Sequence, residues 1–556
     1  MATASCKSLE DSETARESEE ETEIPKDFEP GASSESILIS IDLYEEVENS
    51  PGSVYEDVSY RRRKSTICEL ERSAGKRVLA EEQVETSKSF DDKSQDGQLK
   101  AEIGHDESIR IKNSPNVEPI RIEMESIQMS SDEEKHEIIE TAEDIHNPEW
   151  KQHSKHIFIL SEAGKPIYSR FGSEDKLVTL MGVMQALVSI VQDNGDVIRS
   201  IHAGDHKFVF LVRLPLILVA VANTNASAPQ LVVQLNCVYN LILSVLTSTQ
   251  LCSIFEQRRN YDLRRLLGGA EKFLDNLVDT MDSDPSFLLV AVRCLPLTSA
   301  IRDTISQSIV QYCSKVKNVV FAILVAKNQL VTIVRMKKYS LHPSDLHLVM
   351  NLVNSSDSFK AAESWTPICL PKFDSSGFLH AHVSYLDDNC PACLLLLTVD
   401  KNLFFTLQEC RRKIVERLHR YNCLEAINAS LESEGYSVSE VGLPDLRHFI
   451  YKSKSAAQFT EPRLEAPYVS NEDQSNLFGL YQYLHHRMYN SARPLKILFY
   501  VGQKEIMLSW HMAGFELYAA FEPMVTKFTA VNTMNKLVRW IKKEEDRLFI
   551  MNAPTI

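Results

Sequence analysis

Two histidines and two cysteines late in the chain, His380-Ala-His382 and Cys390-Pro-Ala-Cys393, are of the residue types that hold zinc. Zinc takes imidazole nitrogen and thiolate sulfur, four at a time in a structural site. Positions 380 and 382 fall on one face of a strand, because strand side chains alternate with period two. Cys393, however, leads straight into Leu394-Leu-Leu-Leu397, which has the composition of a buried strand. A hairpin with packed thiols and two strand histidines accounts for the same residues, so no metal site is expected. As a redox pair the two cysteines lack the helix start that lowers a thiol pKa. His136-Glu-Ile-Ile-Glu140 lies in an acidic tail, and His485-His486 is expected on a helix surface. No G-x-x-x-x-G-K-[ST] loop, G-x-G-x-x-G turn, G-x-S-x-G elbow or H-E-x-x-H pair occurs. Phosphate-cradling loops, activated serines and zinc-hydrolase helices therefore lack their residues, and no cofactor is expected.

The remaining candidates are cationic. Arg411-Arg412-Lys413, the run from Arg335 to Lys338, Lys542-Lys543 and Arg61-Arg-Arg-Lys-Ser65 are the basic clusters. Arg411, Arg412 and Lys413 are the candidates for contact with anionic lipid, which attracts basic helices at a membrane surface. Nucleic acid is not an expected partner, because 77 acidic against 60 basic residues leave a formal charge of -17 and phosphate recognition needs clustered cations. The 11 cysteines are too sparse for a disulfide scaffold, and reduced thiols packed as small hydrophobes are expected, as in cytoplasmic proteins. The opening Met-Ala-Thr-Ala-Ser-Cys-Lys-Ser has no apolar core of a secretory signal. Residues 228–255 carry no charge, yet Gln230, Gln234, Asn236 and Asn240 interrupt them. That stretch predicts a buried helix, and any membrane contact is expected to be peripheral.

Residues 1–150 are rich in Glu, Ser, Asp and Lys and poor in aromatics. Such a composition cannot offset its ordering entropy by burial, so a disordered acidic tail is expected. Within it Ser36-Ile-Leu-Ile-Ser-Ile-Asp-Leu-Tyr44 is an apolar patch followed by acidic residues, the pattern of a short docking motif. Order is predicted from about Lys155. Strands at 156–161 and 166–171 flank the turn Glu162-Ala-Gly-Lys165, and a helix follows over 175–192. Strands at 197–202, 206–213 and 216–223 come next, then helices over 229–255 and 262–281. The order is β-β-α-β-β-β-α-α. Strands and helices recur in two further stretches, with hairpins that imply antiparallel sheets under helices, an α/β sandwich. The predicted division is 1–150, 151–284, 285–422 and 423–556.

The helix over 175–192 stands apart. Leu177, Leu180, Met181, Met184, Leu187, Val188 and Val191 follow the spacing of one buried face, and Val183 and Ile190 widen the apolar arc. From Leu177 to Gln192 there is no charge. A surface helix normally carries a charged outer face, so this one is expected to be covered on both sides, the second side by another protein.

His156-Ile-Phe-Ile-Leu-Ser-Glu-Ala-Gly-Lys-Pro-Ile-Tyr-Ser-Arg-Phe-Gly172 closely resembles the opening of the SAND family. The resemblance continues in Ser200-Ile-His-Ala-Gly204, Phe208-Val-Phe-Leu-Val-Arg213, Leu266-Leu-Gly-Gly-Ala270, Cys369-Leu-Pro-Lys-Phe373, Gly377-Phe-Leu-His-Ala-His-Val-Ser-Tyr385 and Cys410-Arg-Arg-Lys413, and spans about 155–550. It implies three longin-like domains, each an antiparallel sheet between helices, after the tail. It implies a heterodimer with a Ccz subunit, joined through the first longin domains. It implies guanine-nucleotide exchange on a late-endosomal or vacuolar Rab GTPase of the Rab-seven type, with an early-endosomal Rab and phosphoinositide recruiting the pair from cytoplasm to endosome, vacuole or lysosome membranes. No bond chemistry by this chain is implied. A longin-type adaptor that tethers without exchanging is the alternative. The platform for partner and GTPase is assigned to Leu180, Val183, Met184, Leu187, Ile190 and Val191, and Met184→Asp or Leu187→Asp is expected to break pairing.

Overall fold

The structure is a computed structural model that describes residues 44–47, 150 and 152–556, apart from 225, 357, 434, 491 and 492. The rest of the tail, with the 61–65 cluster and the His136 motif, lies outside the described residues. Inside them β1, Tyr44–Val47, is a strand.

The first module is built on β2 (Lys155–Ser161) and β3 (Pro166–Ser169), α1 (Val178–Asp193), then β4 (Ser200–Ala203), β5 (His206–Arg213) and β6 (Leu216–Ala222). Its sheet runs β3-β2-β6-β5-β4, antiparallel throughout. Every residue of β2 and β6 is buried, because helices cover both faces of the sheet. One face packs Ile157, Ile159, Leu216 and Leu218 against α2 (Ala228–Leu246), through Leu231, Leu235 and Val238. The alternate residues Phe158, Leu160 and Val219 point to the opposite face, where α1 lies along β2. α3 (Ser248–Gln257) and α4 (Glu271–Ser283) complete the module.

The helix expected over 229–255 is therefore two helices. Thr247 sits between them at φ 56, buried, and its hydroxyl accepts the N–H of Gln250. That φ cannot continue a helix. The helix expected over 262–281 likewise breaks at Gly268-Gly269, where Gly269 takes φ +89. α2 is long and apolar enough to cross a membrane, yet here it lies in the first module's core.

The second module contains β7 (Val292–Arg293), α5 (Ser299–Cys313), β8 (Val319–Ala326), β9 (Gln329–Arg335) and α6 (Pro343–Ser355). These are followed by β10 (Ser364–Leu370), β11 (Asp374–Asp387), β12 (Cys390–Thr398), α7 (Phe404–Arg420) and α8 (Cys423–Glu432). Its antiparallel sheet runs β10-β11-β12-β8-β9. α5, α7 and α8 cover one face and α6 the other. α8 belongs to this core through Cys423, Leu424, Ile427 and Leu431, so the expected division at 423 falls before a helix that packs with the second module. Phe287–Val292, read as a strand, is instead a short helix, Pro285–Leu289, followed by the two residues of β7.

The third module comprises β13 (Leu446–Ser453), β14 (Gln458–Thr460), α9 (Asn471–Met488), β15 (Ile497–Val501), β16 (Ile506–His511), β17 (Phe515–Phe521), α10 (Lys527–Lys543) and α11 (Glu545–Leu548). Its sheet runs β1-β15-β16-β17-β13-β14-β7. Both outermost strands thus come from other parts of the chain, and both pair in parallel. The exchange is mutual. The backbone oxygen of Arg547 accepts from Leu297 and Arg302 of the second module, and Thr555 bridges Arg335 at the edge of β9. The first module meets the second where Asn276 donates to Asn351 at 2.7 Å, and Asn351 donates to the carbonyl of Phe273 at 2.9 Å.

Candidate functional site

α1 presents the broadest unpartnered apolar face that the sequence singled out. Leu177, Met181, Met184 and Val188 recur every three or four residues and are all buried against the first sheet. The next positions round the helix face solvent: Val178, Val183 (54% exposed), Leu187 (37%) and Ile190 (59%). Gly182 and Ala186 lie between them, also exposed. Leu180 and Val191 are half-buried at the borders. Of the six platform residues assigned, Val183, Leu187 and Ile190 form the outer ridge, Leu180 and Val191 flank it, and Met184, only 2% exposed, belongs to the core. The expectation that this chain covers one side of α1 is met, while the outer side is open in the isolated chain. Val197, 58% exposed, extends the apolar surface past the helix end.

Two features hold the ridge rigid. The β2–β3 turn passes so close to α1 that a Cβ on Gly164 would sit 3.4 Å from the Gln185 side chain, and Gly164 has φ +76. Glycine meets both demands at once. Gln185 then donates to the Glu162 carbonyl at 3.3 Å and to Ser189 at 2.9 Å, tying turn to helix. β4, at the end of the same sheet, is largely exposed and is the outermost strand on its side. Among the described residues, then, one module carries both an exposed apolar ridge and a strand edge without a neighbour, two features that proteins ordinarily cover.

The other candidates fare differently. Arg411 turns inward, donating to the carbonyls of Tyr385 at 2.6 Å and Leu386 at 3.3 Å, and lies 3.7 Å from Glu363. Arg412 pairs with Glu409 and Glu416, and Lys413 with Glu409. Carboxylates therefore neutralise this cluster on the chain itself, which removes its claim as a bare cationic patch. The other basic helix, α10, carries Lys536, Arg539, Lys542 and Lys543 and has no acidic residue of its own.

The histidines and cysteines of the zinc candidate do not converge. Strand register sets Cys393 opposite Tyr385 and Cys390 opposite Asp387, whereas His382 is opposite Leu396. Three strand residues, about 10 Å, separate the pairs. His382 is instead bonded to Glu363 at 3.0 Å. His485 is not a surface residue: it is half-buried beside Tyr489 and Tyr518, and burial pushes its pKa down to about 3. Sequence reasoning missed Val178, Val197 and the open β4 edge. Only the strict 177-181-184-188 phase, narrower than the apolar arc, hinted that the arc has an outer side.

Three family descriptions match the chain in order: the "First Longin domain of FUZ, MON1 and HPS1" over residues 155–277, the second over 317–416 and the third over 445–545. Among curated relatives, the chicken (Gallus gallus) protein "Vacuolar fusion protein MON1 homolog A" is 54% identical over 413 residues, 74% of this chain and 75% of that one. "Protein SAND" of Takifugu rubripes is 49% identical over 413 residues, 74% and 79% of the two chains. The human "Vacuolar fusion protein MON1 homolog B" is 43% identical over 431 residues, 74% and 78%.

Proposed function

The chain belongs to the MON1 (SAND) branch of the three-longin family that also contains FUZ and HPS1, and from that membership we propose that it is one half of a guanine-nucleotide exchange factor. Its role lies in vacuolar fusion and membrane traffic, as the names of its relatives have it. The finer reading is a heterodimer with a Ccz subunit that acts on a late-endosomal Rab GTPase. An early-endosomal Rab and phosphoinositide bring the pair from the cytoplasm to endosome, vacuole or lysosome membranes.

The observation that supports this reading is the outer ridge of α1, with Val183, Leu187 and Ile190 uncovered on a helix that carries no charge before its last residue, Asp193. A face of that kind is costly to leave in water and argues for a permanent partner. Exchange needs no nucleophile or base. A factor that binds the nucleotide-free GTPase better than the loaded form lowers nucleotide affinity by the same ratio. It does so by disturbing the switch loops and the Mg²⁺ and phosphate contacts. The chain is accordingly read as a regulator without bond chemistry of its own.

The test is release of labelled GDP from the Rab with this chain and its Ccz partner, each alone and together. Stimulated release by the pair supports the proposal. Binding without release would replace it with the adaptor reading. Val183→Asp and Ile190→Asp are the proper disrupting variants, since each puts a carboxylate on the ridge. Each should weaken pairing by about tenfold or more. Met184→Asp is not a proper test, because its target is buried in the first module's core.

A further inference from the structure

The apolar-acidic patch near residue 40 has no part in the proposed exchange activity, yet the structure gives its end a place. β1 lies on the outer edge of β15, in parallel, with Tyr44 opposite Leu498, Glu45 opposite Phe499, Glu46 opposite Tyr500 and Val47 opposite Val501. β15 reads Ile497-Leu-Phe-Tyr-Val501, five strand-forming residues without a charge or a proline. Its inner side pairs with β16. Without β1 its outer side would present a row of unpaired N–H and C=O groups beside an apolar surface. Edges of that kind draw in extended chains, and proteins cover or charge them.

We propose that the outer edge of β15 is a strand-acceptor site, kept filled in cis by residues 44–47 and able to take an extended peptide of the same kind when that strand leaves. Backbone pairing of this type confers affinity through the main chain, and it asks of the guest an extended segment with one free edge. Three observations make the guest exchangeable. It pairs over four residues and on one side only. It pairs in parallel, the slightly weaker arrangement. Residues 48–149 lie between it and the first module in sequence, and a sequence separation of that length lowers the effective concentration of the cis strand. Charge favours an acidic guest. Glu45 and Glu46 lie within the segment and Asp42 and Glu48 adjoin it in sequence, while Lys496 precedes β15 and Lys527 lies over the Phe499 ring.

The test uses the full chain carrying Glu45→Pro and Glu46→Pro together; one of these adjacent residues directs its N–H at β15, so the pair of prolines removes that donor whichever it is and leaves the host untouched. A fluorescein-labelled peptide of residues 41–50 is titrated into both chains and followed by anisotropy. It should bind the variant about tenfold more tightly than the native chain, and a peptide bearing the same two prolines should bind neither. Hydrogen exchange over 497–501 should be faster in the variant, and the native peptide should restore protection. Equal protection of 497–501 in both chains would overturn the proposal. So would failure of the variant to bind the peptide, or equal binding by both chains.

Discussion

His448 sits in the third module, where its Nδ1 meets the Tyr481 hydroxyl at 2.9 Å and its Nε2 the Pro462 carbonyl at 3.3 Å. Burial holds its pKa down to about 4. The folded value lies below the unfolded one of about 6.5, so the fold takes up fewer protons than the unfolded chain between the two. Stability is complete above pH 6.5 and is lost as pH falls toward 4. At pH 5 the loss from this residue is about 2 kcal/mol. His448→Gln should therefore flatten the fall in Tm between pH 7 and 5, read by scanning calorimetry at both values; an unchanged slope would count against it. Glu516 runs in the same direction but in a lower window. Its burial would raise the pKa, but hydrogen bonds from His511 and Tyr489 and the charge of Lys452 bring it to about 2. Its contribution is present above pH 4.5 and is lost only in stronger acid, so it leaves the pH 7 to 5 window to the histidines. Glu516→Gln strands Lys452 and Lys454 beside a neutral amide and should cost about 3 kcal/mol in urea unfolding at pH 7. At this scale the sequence supplied residue types but not meetings. His382 and Cys393 looked like neighbours in number, and only strand register moved them apart.

Elements were read more fully than residues. The first module's order β-β-α-β-β-β-α-α follows from period-two and period-3.6 patterns long enough to count, and the structure keeps it through β6, after which each of the two expected helices is broken. Breaks inside apolar runs were not legible. Thr247 interrupts a pattern that stays apolar on both sides, because local hydroxyl capping, not hydrophobicity, turns the chain. Thr247→Ala should remove that cap and cost about 1 kcal/mol, measured as a shift in the urea midpoint. α1 was legible as an uncharged helix but not in its phase, since nine apolar positions overfill one face. The phase makes a clear prediction. Met184→Asp should destabilise the first module by several kcal/mol. Val183→Asp and Ile190→Asp should leave the Tm of the isolated chain within about a degree of the native value, since both side chains lie outside the core.

Across the whole molecule the modules are not beads. β7 belongs in sequence to the second module and in space to the third sheet, while the segment after α10 returns to the second module. Strands of two or three residues carry no periodicity, which is why these crossings were invisible in the sequence. Ending the chain at residue 544 would remove Arg547 and Thr555, the partners of Arg302, Leu297 and Arg335. Such a chain should show faster hydrogen exchange in β9 and a Tm several degrees lower, while the first sheet keeps its protection. The same crossings bear on how the molecule is made. During synthesis the edge of β9 emerges more than two hundred residues before the segment that closes it. A ribosome can release a finished first module early, but the second must wait, incomplete and in need of shelter, until residues 554–556 have left the exit tunnel.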